Sequence, residues 1–132
     1  MKKTIFFTLL TLGLLYTSCN STPKIPNDAT STQLIQNGQE ALSSSNYKAA
    51  EAYYMAVIQR YGMDTSTYIE ARYELGHLYL KQKKYEEAYA CFSEILSIFE
   101  NAEIGYLPAA YKKLAQMGLD RIPSNKLSKI TE

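Results

Sequence analysis

The chain has 132 residues, enough for one domain, and its charges nearly cancel, with 14 lysines and arginines against 13 aspartates and glutamates. So balanced a chain offers no basic surface of the kind that binds nucleic acid, and we predict no nucleic acid partner. Two cysteines and one histidine are too few for a structural zinc site or a disulfide framework. We therefore expect no metal and no cofactor.

The first residues read as an export signal rather than as part of a fold. Lys2 and Lys3 precede an apolar run from Ile5 to Tyr16, and two small residues follow it. The run is too short to remain in a bilayer as a spanning helix, since a span needs about 20 apolar residues. Residues 1–18 are accordingly predicted to be a signal peptide that lies outside the folded domain.

The end of this signal resembles a lipoprotein processing site. The stretch Leu15-Tyr16-Thr17-Ser18-Cys19 is similar to the lipobox of bacterial lipoproteins, in which the cysteine is acylated and becomes the mature N-terminus. The resemblance implies that Cys19 carries lipid and holds the protein on the lipid bilayer of the bacterial cell envelope. We expect the protein to be anchored on the periplasmic face of the outer membrane. The alternatives are a plain secreted protein and an uncleaved signal anchor.

A flexible tether is predicted over residues 19–30, beginning at the acylated cysteine. This segment is polar, contains two prolines, and has no apolar period that could build a helix. The helical domain is predicted to occupy residues 31–121. Residues 122–132 then form a C-terminal tail, because Pro123 opposes continuation of the last helix.

Five helices are predicted, each from start or stop signals. Thr30 and Gln33 have the spacing of a capping box for the first helix, and Asn46 can cap the second. Thr67 and Glu70 form a second capping box, for the third helix. No run of two-residue alternation indicates a strand, so the predicted fold class is all-α. The predicted helices span residues 32–43, 47–61, 68–81, 85–99 and 108–119.

Two stretches of the chain repeat each other at an offset of 38 residues. In each, a glycine in the first helix is followed by an alanine and an aromatic residue in the second helix. Such a repeat is typical of an array of helical hairpins, whose usual role is to hold other proteins. The matched pairs are Gly38 and Gly76, Tyr47 and Tyr85, Ala50 and Ala88, and Tyr54 and Phe92.

The second copy resembles the tetratricopeptide repeat. Over residues 69–102 it carries Leu75-Gly76-x2-Tyr79 and then Tyr85-x2-Ala88-x3-Phe92, with small residues where the helices of a hairpin cross. The resemblance implies an all-α, tetratricopeptide-like stack of antiparallel helical hairpins, with about five helices and two and a half repeats. An unrelated helical bundle is the alternative. The predicted packing residues are Gly38, Ala50, Tyr54, Leu75, Gly76, Tyr79, Ala88 and Phe92.

The spacing of the two copies predicts one longer loop. The offset of 38 residues exceeds the repeat's own length of about 34 by four. We expect these four residues to extend the loop over residues 62–66. A third copy begins at Pro108 and supplies only a first helix, which is expected to cap the array.

The resemblance also implies a concave groove lined by the first helix of each hairpin. Residues four and seven apart fall on one stripe of a helix, and this spacing assigns three rows of groove residues. The expected ligand is an extended or helical protein segment, with Tyr73 as its anchor, because tyrosine offers contact area at low entropic cost. The predicted partner contacts are Ile35, Gln39, Leu42, Tyr73, His77, Leu80, Lys112 and Gln116.

Two features that could suggest chemistry are interpreted as structural. Glu74 and His77 have the Glu-x-x-His spacing of di-iron bundles, but such a site needs two copies, so at most a hydrogen bond on the helix surface is expected. Cys91 lies in an apolar helical pattern and is expected to pack as a small hydrophobic residue, the alternative being a disulfide with Cys19. No serine stands in a nucleophile elbow, so an enzyme is not predicted.

Two short phrases and the lipobox suggest a place in the envelope. Tyr73-Glu74-Leu75-Gly76 and Lys84-Tyr85-Glu86-Glu87-Ala88 resemble BamD-type outer-membrane assembly lipoproteins. The resemblance implies a membrane-anchored adaptor that binds protein partners in the machinery that inserts β-barrels. The alternative is a tetratricopeptide scaffold for another envelope system, such as cell-wall synthesis coordination, pilus assembly or a transporter accessory. An enzyme or small-ligand carrier is the third class, and no small-molecule substrate is expected.

Overall fold

The computed structural model describes residues 22–102 and 107–132. Over these residues the chain is all-α and forms a stack of antiparallel helical hairpins, which confirms the predicted fold class. The first helix of each hairpin packs on the second, and neighbouring hairpins pack side by side. The helices are α1 (Ser31–Ser43), α2 (Tyr47–Tyr61), α3 (Thr65–Lys81), α4 (Tyr85–Asn101), α5 (Ala110–Asp120) and α6 (Ser124–Thr131).

The first hairpin begins at the capping residues that the sequence indicates. The backbone N–H of Gln33 donates to the Thr30 hydroxyl at 3.2 Å, and the N–H of Thr30 donates to the Gln33 side chain at 2.9 Å. The Asn46 side chain accepts from the N–H of Ala49 at 3.2 Å and caps α2. Each cap satisfies backbone donors that the first helical turn leaves unpaired, so both predicted starts are confirmed.

The start of α3 differs from the prediction. Asp64, rather than Thr67, caps this helix, and its carboxylate accepts from the N–H of Thr67 at 2.8 Å. As a result α3 has 17 residues where α1 has 13. The four extra residues of the repeat therefore add about one turn to the N-terminus of α3 and do not lengthen the loop.

The turns inside the two hairpins share one geometry. Ser45 and Lys83, which are 38 residues apart, both have positive φ, at 60° and 59°. The residue after each of these donates its backbone N–H to the carbonyl five positions earlier. Asn46 donates to Ala41 at 2.8 Å, and Lys84 donates to Tyr79 at 2.9 Å. This is the Schellman arrangement of a helix C-terminus. The connection between α2 and α3, residues 62–64, is also short, and α3 packs on α2. α3 therefore runs parallel to α1, and the two hairpins point the same way in the stack.

Glycines permit the closest helix crossings. A Cβ atom on Gly38 would lie 2.3 Å from the ring of Tyr54. One on Gly76 would lie 2.6 Å from the ring of Phe92, and one on Gly118 would lie 2.5 Å from that same ring. The Phe92 ring is thus held between the backbones of α3 and α5, and the missing side chains let these helices approach.

Two apolar layers hold the stack together. One lies between the two hairpins, and the other lies between the second hairpin and the helices that follow it. Ala50, Leu75 and Ala88 are buried in these layers as Tyr54 and Phe92 are. Tyr79 is half-buried, and its hydroxyl donates to the carboxylate of Glu51 at 2.7 Å. The layers include Leu34, Leu42, Val57, Leu75 and Leu78 in the first and Ile69, Leu80, Ile95, Ala115 and Ile122 in the second.

The segment before α1 is packed rather than free. Ile25 packs against the first apolar layer, and Ala29 is buried in it. The carbonyl of Pro26 accepts from Arg60 at 2.6 Å, and that of Ala29 accepts from the Tyr61 hydroxyl at 2.6 Å. Residues 25–30, which were expected to belong to the flexible tether, are therefore held against the first hairpin by two apolar side chains and these two hydrogen bonds. The predicted signal and Cys19 lie outside the described residues.

The sixth helix was not predicted. Pro123 does end α5, as expected, but it also stands at the N-terminus of α6, within the segment interpreted as a tail. Ile122 is buried and Leu127 is half-buried against the second apolar layer, and α6 lies against α4. Two apolar contacts thus hold a helix of otherwise polar composition.

We expect Gly76→Ala to lower the free energy of unfolding by about 1–3 kcal/mol, because the added methyl group overlaps the buried Phe92 ring. Urea unfolding followed by circular dichroism measures the change. Helix propensity alone favours alanine by about 1 kcal/mol, so unchanged or increased stability would contradict the crossing. In Gly76→Ala/Phe92→Leu a smaller side chain faces the methyl group, so the loss is expected to be smaller than the sum of the losses in the two single variants.

Candidate functional site

The first helices line the inner, concave side of the stack. α1 packs against α3, and α3 packs against α5, so these three helices form a continuous layer. The second helices α2 and α4, both fully described, have no Cα atoms within 8 Å of each other. Helices in contact on one side and separated on the other make the stack curve, with the contacting layer inside.

Three of the predicted groove residues face the core instead. Ile35 and Leu42 are 5% exposed and belong to the first apolar layer, and Leu80 is 9% exposed and belongs to the second. Because neighbouring helices cover them, these side chains offer no surface to a partner. The predicted residues left exposed or half-buried are Gln39, Tyr73, His77, Lys112 and Gln116.

Tyr73 is the centre of an aromatic cluster on the concave side. The ring of His77 is stacked on it with centroids 6.4 Å apart, and the ring of Tyr111 meets it edge-on at 5.6 Å. Below them the Phe92 ring lies 6.1 Å from Tyr73. We call Tyr73, His77 and Tyr111 the aromatic cluster. All three side chains are half-buried, so each keeps part of its ring surface for a ligand.

Tyr111 is not among the groove residues that the sequence predicts. Its ring does contact the second apolar layer, but it also completes the aromatic cluster across α3 and α5. A signal for this was present, because Tyr111 follows Tyr73 by 38 residues, the offset of the first two copies. The third copy was instead aligned one residue later, which placed Lys112 in the groove row.

The cluster is uncharged near neutral pH. Burial, followed by the charges of Arg121 and Lys81, lowers the pKa of His77, which favours the neutral imidazole. Burial and then the Glu70 and Glu74 carboxylates raise the pKa of Tyr111 to about 12. The site therefore presents neutral rings beside the cationic groups of Lys81 and Arg121.

A buried carboxylate joins the groove to the first hairpin. Glu74 is buried, and it accepts hydrogen bonds from the side-chain amide of Gln39 at 2.9 Å and from the hydroxyl of Tyr54 at 3.4 Å. These contacts link α3 to α1 and α2, so they set the position of the groove's first row relative to the aromatic cluster. Glu74 thus faces the first hairpin and not His77, and the expected surface hydrogen bond between the two is replaced.

Other potentially reactive features are part of the scaffold. Cys91 is a free thiol in the first apolar layer, and burial raises its pKa to about 11, which opposes the reactive thiolate. Across the part of the chain that the structure describes, no three histidine, cysteine or acidic side chains come close enough to hold a metal ion. Among the same residues, no helix combines the length and apolar composition needed to cross a bilayer.

Comparison with known proteins identifies one repeat of the stack. Residues 69–101 match the tetratricopeptide repeat, so the second hairpin is such a repeat. The chain is also 35% identical over 119 residues to an uncharacterized protein of Treponema pallidum (strain Nichols). The match covers 88% of this chain and 47% of that protein, so the chain spans about half the length of this relative. No solved structure matches the chain.

The raised tyrosine pKa values predict sensitivity to alkali. Because burial raises the pKa of Tyr111 from about 10 to about 12, the folded chain keeps a proton that the unfolded chain releases in this interval. Its contribution to stability is complete below about pH 10 and is lost as the pH rises toward about 12. Urea unfolding at about pH 8 and about pH 11 measures the loss. It should be smaller in Tyr111→Phe, and equal losses in both chains would contradict the burial of this hydroxyl.

Proposed function

We propose that the chain is a lipid-anchored adaptor of the bacterial cell envelope that holds a segment of a partner protein against its concave face. A tetratricopeptide repeat indicates a role in protein–protein interaction. The observation that carries the proposal is the aromatic cluster, which lies half-open on the concave layer, where Gln39 of α1 and Gln116 of α5 are also exposed. Rigid rings flanked by amides are a typical docking surface for a peptide.

The chemistry of the cluster favours a segment with an apolar or aromatic anchor. The neutral rings of Tyr73 and Tyr111 can bury such a side chain without leaving a charge unpaired. Gln116 donates to Asp120 on its own helix at 3.1 Å and keeps its carbonyl for a partner, while Lys112 is exposed one turn away. A helical or extended segment that lays one apolar side chain on the rings and polar groups on the rim fits this arrangement.

The envelope location rests on the sequence before the fold. A lysine pair, an apolar run and the lipobox ending at Cys19 support export and acylation. Several acyl chains would hold the protein on a bilayer, since each buried methylene adds about 0.8 kcal/mol. With the phrases around Gly76 and Tyr85, these features support a BamD-like role in β-barrel assembly.

A scaffold for another envelope system is the second candidate. BamD-type proteins usually carry about five repeats, whereas two hairpins and two further helices are seen over the described residues. A shorter array buries a smaller partner segment, which suits coordination of cell-wall synthesis, pilus assembly or a transporter accessory role.

Site-specific crosslinking distinguishes the two candidates. A photoreactive residue at Gln116, which is exposed on the concave layer, is expected to capture the partner in membranes. The same residue at Gln59, exposed on α2, serves as the matched control. Capture of the barrel-insertion protein supports the BamD-like role, and capture of wall enzymes or pilus subunits supports the alternative. Equal capture from Gln59 and Gln116 contradicts the concave site.

Tyr73→Ala is expected to weaken partner capture from Gln116 about tenfold or more, because it removes the central ring of the cluster. Tyr73→Phe keeps the ring and loses only the hydroxyl, so it should retain capture. The circular dichroism of both variants shows whether the stack is intact. If both variants bind like the unmodified protein, the aromatic cluster is not the anchor.

The lipid anchor is tested by metabolic labelling with a fatty-acid analogue. The chain is expected to incorporate the label and to lose it in Cys19→Ala. Cys91→Ala is the matched control, because this thiol is buried in the first apolar layer and should not be acylated. Label that persists in Cys19→Ala, or is absent from the unmodified chain, refutes the anchor without bearing on the concave site.

A further inference from the structure

The N-terminal segment runs back along the first hairpin to its turn. The carbonyl of Ala29 accepts a hydrogen bond from the hydroxyl of Tyr61, the last residue of α2, so Ala29 lies next to the end of that helix. Six residues earlier, Pro23 lies beside a shallow cavity at the other end of the hairpin, which it lines together with Ser44 and Asn46 of the turn. The described chain therefore begins, at Thr22, near the end of the stack that carries the α1–α2 turn.

This path limits how far the stack can lie from a lipid on Cys19. Three residue steps separate Cys19 from Thr22, and a fully extended chain spans at most about 3.6 Å per step, or about 11 Å in all. That length is close to the Debye length of about 8 Å at physiological ionic strength. Charges near Thr22 would therefore act on the headgroups of a bilayer that holds Cys19.

The same end of the stack is rich in lysine. The α3–α4 turn lies at the same end of the stack as the α1–α2 turn, because α1 and α3 run parallel, and it carries Lys83 and Lys84. With Lys126 and Lys129 of α6 they line one cavity of about 310 Å³. We call these four residues the basic end. All four are exposed.

The charges differ between the two ends of the stack. Glu86 and Glu87 line the same cavity, so the four lysines leave a net charge of two positive units there. At the opposite end, near the starts of α3 and α5 and the ends of α2 and α4, acidic and basic side chains are both exposed. They are Asp28, Asp64 and Glu100 and, with opposite charge, Arg60, Lys112 and Lys113. The end nearest the proposed lipid is therefore basic, whereas acidic and basic side chains are mixed at the far end.

We propose that the basic end binds anionic phospholipid headgroups. In this orientation the helix axes stand perpendicular to the membrane surface, and the concave face opens parallel to that surface. The proposal rests on the proposed acylation of Cys19. Lysine suits this contact because its ammonium is a compact charge on a flexible stem that can follow mobile phosphates. The anchor holds the protein on the bilayer, and the lysines orient it.

Fluorescence quenching in vesicles tests the orientation. The full-length, processed and acylated protein carries a single dye, either at Ser128→Cys, between the α6 lysines, or at Met63→Cys, which is 99% exposed at the opposite end. Buried Cys91 and acylated Cys19 do not react with the dye. The vesicles contain phosphatidylcholine with or without phosphatidylglycerol, together with a lipid bearing a nitroxide on its headgroup.

In anionic vesicles the dye at Ser128→Cys should be quenched at least about twofold more than the dye at Met63→Cys, because only the basic end reaches the headgroups. Changing the basic end to glutamine at all four positions should abolish the difference. Lys113→Gln removes an exposed lysine outside the basic end and should preserve it. Added salt should reduce the difference, as screening requires.

Equal quenching of the two dyes on an acylated protein overturns the orientation and leaves the adaptor function untouched. A difference that is just as large in neutral vesicles assigns the orientation to the anchor alone and overturns the role of charge. If neutral and anionic vesicles behave alike and an acidic protein binds the unmodified chain but not the glutamine variant, the basic end is a protein site. A chain without lipid on Cys19 overturns the anchor and this proposal together.

Discussion

The stack depends on the close approach of helices at positions where a side chain is missing. The Tyr54 ring fills the space above Gly38, and the Phe92 ring is held between Gly76 and Gly118. Ring and glycine require each other, because a ring against any larger residue would force the helices apart, and a glycine without a ring would leave a void. The curvature of the array and the shape of its concave side follow from these crossings.

α3 connects the scaffold with the candidate site. Adjacent residues on this helix face different neighbours, since Glu74 bonds to the first hairpin and Tyr73 contacts the ring of Tyr111 on α5. A buried carboxylate is costly to desolvate, and Glu74 retains its place because two donors satisfy it. The aromatic cluster therefore sits on a helix whose position is set from both sides, which suits a surface that must be preorganised for a partner.

The proposed function and the proposed orientation use different ends and faces of the same stack. The concave layer of first helices offers rings and amides to a protein segment, whereas the basic end offers lysines to a lipid surface. The packed segment before α1 connects the two, because it brings the start of the described chain to the basic end and not to the groove. In this arrangement a bilayer and a partner protein do not compete for one surface.

The all-α class, the hairpin repeat and the caps of α1 and α2 were determined by the sequence alone, because each is encoded by a few residues close together in the chain. The start of α3 was not determined in this way, since Asp64 and Thr67 can both cap a helix. Which of them does so depends on the tertiary contacts of the additional first turn. Periodicity placed Ile35, Leu42 and Leu80 in the groove, but the packing of neighbouring helices, which periodicity does not specify, buries them in the apolar layers. The pairing of Tyr73 with Tyr111 likewise depends on the packing of α5 against α3. This contact joins residues far apart in the chain, and no local sequence pattern specifies it.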